Sequence, residues 1–213
     1  MISYGWLSRS AIVCLIVLAF IPARVLALGE LELINQNPSF EEDYTGWEQY
    51  IDAAAGAVFD ISKEAFEGKK CAHINVTKIS GTNWHVGLTQ GNLTLEAGQM
   101  YTADFLARAD AKRIITIEVK RQPGLGDWEG ITEQDTIISD KWDDYFVTFT
   151  PAKDYDKAAF LAFWLGQEKG NVWIDGARLY EGKKQERQGI VSPKNVGANG
   201  KLITLWAAIK ANE

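Results

Sequence analysis

Cysteine and histidine are scarce in this chain, with two of each in 213 residues. Cys14 lies inside an N-terminal apolar run, so the body of the chain keeps only Cys71, and a single cysteine cannot close an internal disulfide. His73 and His85 are too few and too far apart in sequence for a zinc constellation. After residue 27 no apolar run approaches the roughly 20 residues that a membrane-spanning helix needs. The body of the domain also lacks sustained helical periodicity, which excludes a helical bundle. Positive charge is in deficit as well: 22 Lys and Arg stand against 28 Asp and Glu. Nucleic acid and anionic membrane are therefore poor partners.

The N-terminus has the order of an export signal: Arg9, the apolar stretch Ala11 to Ile21, Pro22, and the small-residue exit Val25-Leu26-Ala27. Residues 1–27 are read as a signal peptide, which implies an extracellular or periplasmic protein. Cys14 leaves with the signal. Removing Arg9 and Arg24 leaves 20 basic residues against 28 acidic ones, a net charge of −8. The remaining length suits one core and a tail.

Period-two alternation recurs over Ala57–Ile61, Cys71–Thr77, Trp84–Gln90, Met100–Ala109, Ile114–Lys120, Tyr145–Thr150, Ala158–Leu165 and Val172–Leu179. Gly68, Gly81, Gly91, Gly98, Pro123-Gly124, Pro151 and Gly170 punctuate these blocks. The pattern predicts an all-β sandwich of two antiparallel sheets over residues 28–182. Cys71, flanked by Ala72 and Ile74, reads as a buried strand residue. From residue 183 a polar run leads to Leu202, Leu205, Trp206 and Ile209, which share one helical face. Residues 183–213 are read as a linker and a short amphipathic tail that either packs back on the sandwich or docks a protein partner.

Seven of the eight tryptophans lie beyond the signal, several of them beside polar residues. Their order, together with other weak motifs, carries a resemblance. The motifs are Asn37-Pro38-Ser39-Phe40-Glu41 with Gly46-Trp47, Glu67-Gly68-Lys69, and Trp84. They continue with Gly98-Gln99-Met100-Tyr101 into Phe105-Leu106-Ala107-Arg108-Ala109, Trp142 before Phe146 to Thr150, and Ile174-Asp175-Gly176. From Leu31 to Glu181 the chain resembles the carbohydrate-binding modules of the family 4, 9 and 22 group. The resemblance implies a galactose-binding-domain-like jelly roll, a structural calcium ion, and a glycan cleft across a concave sheet face.

By the same resemblance, Glu41, Glu67 and Asp175 supply carboxylates to the calcium, with the carbonyls of Ser39 and Lys70. Calcium takes six to eight such oxygens. Glu64, one turn from Glu67, is an alternative ligand. Trp84 matches the cleft tryptophan, and Trp164 and Gln167 match a late-strand cleft position. Trp128 stands in a loop that walls the cleft, with Lys120 or Arg121 as its displaced basic residue. An aromatic face packs against the C–H patch of a pyranose while polar neighbours bond its hydroxyls. Gly87 departs from members that carry a polar residue there. Trp47 and Trp142 occupy positions expected to be buried, and Trp173 an outer face.

No nucleophile elbow, Cys–His pair or phosphate loop appears, and the spacing of Glu118, Glu129, Glu133 and Asp135 does not mark a hydrolase pair. The chain is read as a non-catalytic, secreted module for a polysaccharide of the β-glucan or xylan class. The alternative is a secreted adhesion protein that uses the sandwich and tail for protein contact. Asn75-Val76-Thr77 and Asn92-Leu93-Thr94 have the form of glycosylation acceptors, which matter only in a eukaryotic secretory pathway.

Overall fold

The computed structural model describes residues 36–122 and 128–187. The signal peptide expected over residues 1–27, and the expected tail from residue 188 on, lie outside these residues. Ten strands are present: β1 (Glu48–Ile51), β2 (Gly56–Ser62), β3 (Cys71–Lys78), β4 (Val86–Leu95), β5 (Tyr101–Ala109), β6 (Arg113–Arg121), β7 (Gly130–Ile138), β8 (Asp143–Phe149), β9 (Tyr155–Trp164) and β10 (Gly170–Glu181). They form two five-stranded sheets, ordered β1-β4-β9-β6-β7 and β2-β3-β10-β5-β8. Every neighbouring pair is antiparallel. No helix among the described residues is long and apolar enough to cross a membrane.

Alternation puts one side of each sheet into a shared core. β6 contributes Ile115, Ile117 and Val119, β9 contributes Leu161 and Phe163, and β5 contributes Ala103, Phe105 and Ala107. Phe105 and Phe163 meet edge to face across the sheets, with ring centroids 4.8 Å apart. Trp47 is buried, stacks near Phe40, and donates its indole N–H to Asn37 O at 3.1 Å. Cys71 is fully buried, and burial pushes its thiol up to about 12.

The eight alternating blocks all coincide with strands, whereas β1 and β7 do not stand out in the sequence. Both are edge strands: β1 is exposed throughout, and β7 buries only Thr136 and Ile138. Trp84, expected to open a strand, sits instead in a single 3₁₀ turn, Asn83–His85, where Asn83 Oδ1 accepts its backbone N–H at 2.8 Å. Trp142, expected in the core, is half-buried on the outer face of the second sheet. There it meets Phe66 edge to face and lies 5.7 Å from the Arg108 guanidinium. Trp173 covers the same face between His73 and Arg108.

The first motif works as a knot at the start of the domain. Asn37 adopts φ 51°, a conformation that Asn tolerates better than most residues. Its side chain donates to Asp43 O and Thr45 O and accepts from Glu42 N. This loop drops Phe40 into the core and leaves Glu41 outside. Ala177 N–H donates to Pro38 O at 2.9 Å, so the Asp175-Gly176 segment is tied directly to the first motif.

On the outer face of β5, Asp104 is almost fully buried. It accepts from Arg178 Nε and Nη2 at 2.8 and 2.7 Å, from Tyr180 Oη at 2.8 Å, from Lys184 Nζ at 3.1 Å, and from Arg187 Nη2. Burial opposes its charge, but Arg178, Arg187 and Tyr180 together hold its carboxyl below the usual range. Lys184 also reaches Asp144, and Arg187 reaches Glu67 and Gly176 O. The polar run after Glu181 is thus laid on the sandwich as far as Arg187.

Candidate functional site

The outward face of the first sheet is a stack of register rows. One row runs Tyr50, Gly87, Trp164, Thr116, Asp135. The next runs Glu48, Thr89, Ala162, Glu118, Glu133. A third includes Phe160, Lys120 and Gly130. Along β9 this face presents Phe160, Ala162 and Trp164, an aromatic pair flanking a small residue and forming an apolar cluster separate from the main core. Over part of these rows, at Glu48, Tyr50, Thr89, Phe160, Trp164 and Lys120, lies a groove of about 1140 Å³ whose border also includes Trp84, Asn92, Gln122 and Trp128.

Trp84 and Trp128 are 45% and 66% exposed. Trp84 is held by its turn, by His85 edge-on at 4.2 Å between centroids, and by Tyr50, whose ring is inclined 28° to it at 6.2 Å. Tyr50 is itself 42% exposed. The long centroid separation makes the two rings an offset platform, not a closed stack. Lys120 Nζ lies 5.8 Å from the Trp128 ring. Trp164 is only 8% exposed and forms floor. Its indole donates to Glu118 Oε2 at 2.7 Å, and Lys120 Nζ stands 3.1 Å from Glu118 Oε1. This pairing lets a nearly buried carboxylate sit beneath the groove without an unmet charge.

Gly87 has a steric reason. The Trp164 ring lies directly over its Cα, and a Cβ there would collide with the six-membered ring. A polar side chain at residue 87 and a tryptophan at 164 are mutually exclusive in this arrangement.

Exposed aromatic rings on the lips, an apolar floor and a few oriented polar groups describe a surface shaped for a flat, hydroxyl-rich ligand. Residues 33–170 match the family model described as a carbohydrate binding domain. The chain belongs to this family. Its fold is similar to a solved family 4 carbohydrate-binding module, at 19% identity and a TM-score of 0.55, covering 71% of this chain and 95% of that one. It is equally similar to the second N-terminal cellulose-binding domain of Cellulomonas fimi β-1,4-glucanase C, at 19% and 0.55, covering 73% and 97%. The CBM22-1 xylan-binding domain of Paenibacillus barcinonensis Xyn10C gives 17% and 0.53, covering 73% and 97%. No curated protein matches the chain.

Within this carbohydrate-binding domain, Trp84, Trp128, Trp164 and Lys120 come together around one groove. Gln167 is set to one side, donating to Thr116 Oγ1 at 2.7 Å and to Asp135 Oδ1 at 3.3 Å. Arg121 gives its backbone N–H to Glu129 O and lies near Lys153 and Tyr155, away from the groove lining. Sequence reasoning did not single out Tyr50, Phe160, Asn92 or Gln122. Tyr50 follows Trp47 by three residues, but with β1 unread nothing gave it a face. Asn92 takes φ 60° in an irregular part of β4, and its N–H is accepted by Gln122 Oε1 at 2.8 Å.

The expected calcium ligands gather near the turn at residues 66–70. Glu41 Oε1 accepts from Lys70 N at 3.0 Å and from Lys69 N at 2.6 Å, and these N–H groups hold its carboxyl below the usual range. Asp175, fully buried, accepts from Phe66 N, Glu67 N and Gly176 N. Burial nevertheless pushes its carboxyl up to about 6. Glu67 Oε1 lies 3.2 Å from Arg187 Nη1, and Glu64 is committed to Arg108. Ser39 stands in the turn beside Glu41, and Lys70 pairs with Asp43 at 2.7 Å. The donors are all oxygens, as a hard cation requires. Here, however, backbone N–H groups and Arg187 share those oxygens, and among the described residues no three acidic, His or Cys side chains cluster tightly enough to hold a metal by themselves.

Proposed function

We propose that this is an exported, non-catalytic module that holds a β-glucan or xylan chain in the groove of the first sheet. Trp84 and Trp128 pack against sugar faces from the two lips, Tyr50 extends the Trp84 platform, and Trp164 with Phe160 forms the floor. Glu48, Thr89, Asn92 and Gln122 offer donors and acceptors to hydroxyls. The observation that carries the reading is the pair of exposed tryptophans bordering one groove on the first sheet. Isolated exposed tryptophans are unremarkable, but two that face a common cavity are an anchor pair. The solved relatives that share the fold include a cellulose-binding and a xylan-binding domain, which supports this ligand class.

Glu41, Glu67 and Asp175 with the carbonyls of Ser39 and Lys70 form the proposed calcium site. It is supported by the oxygen-only donors around the 66–70 turn and by a buried carboxyl, Asp175, whose negative charge is costly without a cation. Its role is structural.

Affinity electrophoresis through gels containing xylan, mixed-linkage β-glucan, laminarin or no polysaccharide tests the glycan reading. Wild type is retarded in at least one gel, and Trp84→Ala runs freely in it. Wild type unretarded in every gel, with calcium present, contradicts the proposal.

A further inference from the structure

Register pairing puts Glu48, Glu118 and Glu133 in one cross-strand row, with Thr89 and Ala162 between them. Glu118 and Glu133 are direct partners on neighbouring strands, about 5 Å apart at Cα. Asp135 lies one pair further along β7 and accepts from Thr116 Oγ1 at 2.6 Å. At the Trp84 end, Asp52 stands behind Tyr50 and beside His85. Against these carboxylates the three rows carry one cation, Lys120, and it is committed to Glu118. At the Trp128 end, Lys153 is paired with Glu129, so it adds no net positive charge.

We propose that the groove selects uncharged glycan chains and disfavours chains that carry uronates or other carboxylates. This rests on the reading that the groove holds a glycan and adds what kind. A carboxylate on a bound sugar enters a field set by Glu48 in the groove lining and by Glu133 and Asp135 beyond that lining at the β7 end of the same rows, none of which has a basic partner among the contacts of the described residues. Hydroxyls suffer no such penalty, since carboxylates accept hydrogen bonds from them. The selection is electrostatic, so it is strongest at low ionic strength and fades as salt shortens the screening length to a few Å. Aromatic packing is indifferent to ring charge and cannot supply this discrimination.

The test compares two polymers with the same β-1,4-glucan backbone, neutral hydroxyethylcellulose and carboxylated carboxymethylcellulose, by affinity electrophoresis of the full chain at low and high salt. The expected result is a several-fold weaker retardation by the carboxylated polymer, roughly three- to tenfold at low ionic strength for three unscreened carboxylates. The gap narrows in high salt. It also narrows in Glu48→Gln/Glu133→Gln, but not in Glu42→Gln/Glu96→Gln, which changes net charge equally away from the groove. Equal or stronger retardation by the carboxylated polymer overturns the proposal, as does a gap that the distal variant closes as well as the groove variant. Binding to neither polymer, nor to xylan, β-glucan or laminarin, removes the glycan reading itself.

Discussion

Replacing Arg187 with alanine tests how the end of the domain is fastened. Arg187 is 6% exposed, and its guanidinium reaches Asp104, Glu67 and Gly176 O. Removing one member of a buried ion pair costs about 3–5 kcal/mol when it leaves the partner stranded. Asp104 is not stranded, because Arg178, Tyr180 and Lys184 remain. The expected loss is therefore smaller, about 2 kcal/mol, the scale of lost hydrogen bonds to charged groups. For a domain of this size that corresponds to a fall in Tm of roughly 4–8 °C. Asp104→Ala is worse, about 3–5 kcal/mol, since it leaves three cations packed together without their common acceptor. Urea denaturation and scanning calorimetry of both variants provide the readout. An Arg187→Ala protein that melts within a degree of wild type, or an Asp104→Ala protein more stable than Arg187→Ala, refutes the reasoning.

Gly87→Ala drives a Cβ into the Trp164 ring, so it is expected to cost about 1–3 kcal/mol and to weaken glycan binding, both measurable on one purified variant. Trp164→Ala loses roughly 3–5 kcal/mol of stability, whereas Trp84→Ala, half exposed, keeps its melting temperature within a few degrees while losing retardation in polysaccharide gels. Because Asp104 titrates lower in the folded protein than its unfolded value of 3.8, the stability it contributes is complete above that value and drains away as pH falls through the folded one. The acid limb of a stability–pH curve should flatten in Asp104→Asn. Calcium at 100 times its Kd should add about 2.7 kcal/mol, seen as a higher Tm than in EDTA; identical melts in calcium and EDTA contradict the proposed site.

The strands that face the core on one side were legible because alternation between apolar and polar residues is what a half-buried strand leaves in sequence. β1 and β7 were not: all four residues of β1 are exposed, and the only buried residues of β7, Thr136 and Ile138, stand at its very end. The cleft tryptophans could be chosen by their polar neighbours, yet Asn83 and His85 belong to a turn that lifts Trp84 free of the sheet, which no alternation reveals. Trp164 reads as a cleft residue, and the structure puts it on the floor of the groove: its face is spent on Gly87 and its N–H on Glu118, a pairing between β9 and β6 that sequence distance hides. Arg187 is the plainest case. In sequence it belongs to a solvated polar run, and only the meeting of β5, β8 and β10 brings Asp104, Asp144 and Gly176 within its reach.

The central claim, that the groove between Trp84 and Trp128 is where a glycan chain lies, is tested most directly by following tryptophan indole N–H resonances of ¹⁵N-labelled protein during titration with xylo- and cello-oligosaccharides. The account predicts that the Trp84 and Trp128 signals shift saturably together, with a smaller change at Trp164, while Trp47, Trp142 and Trp173 stay fixed. Shifts confined to Trp142 and Trp173, on the outer face of the other sheet, would contradict it.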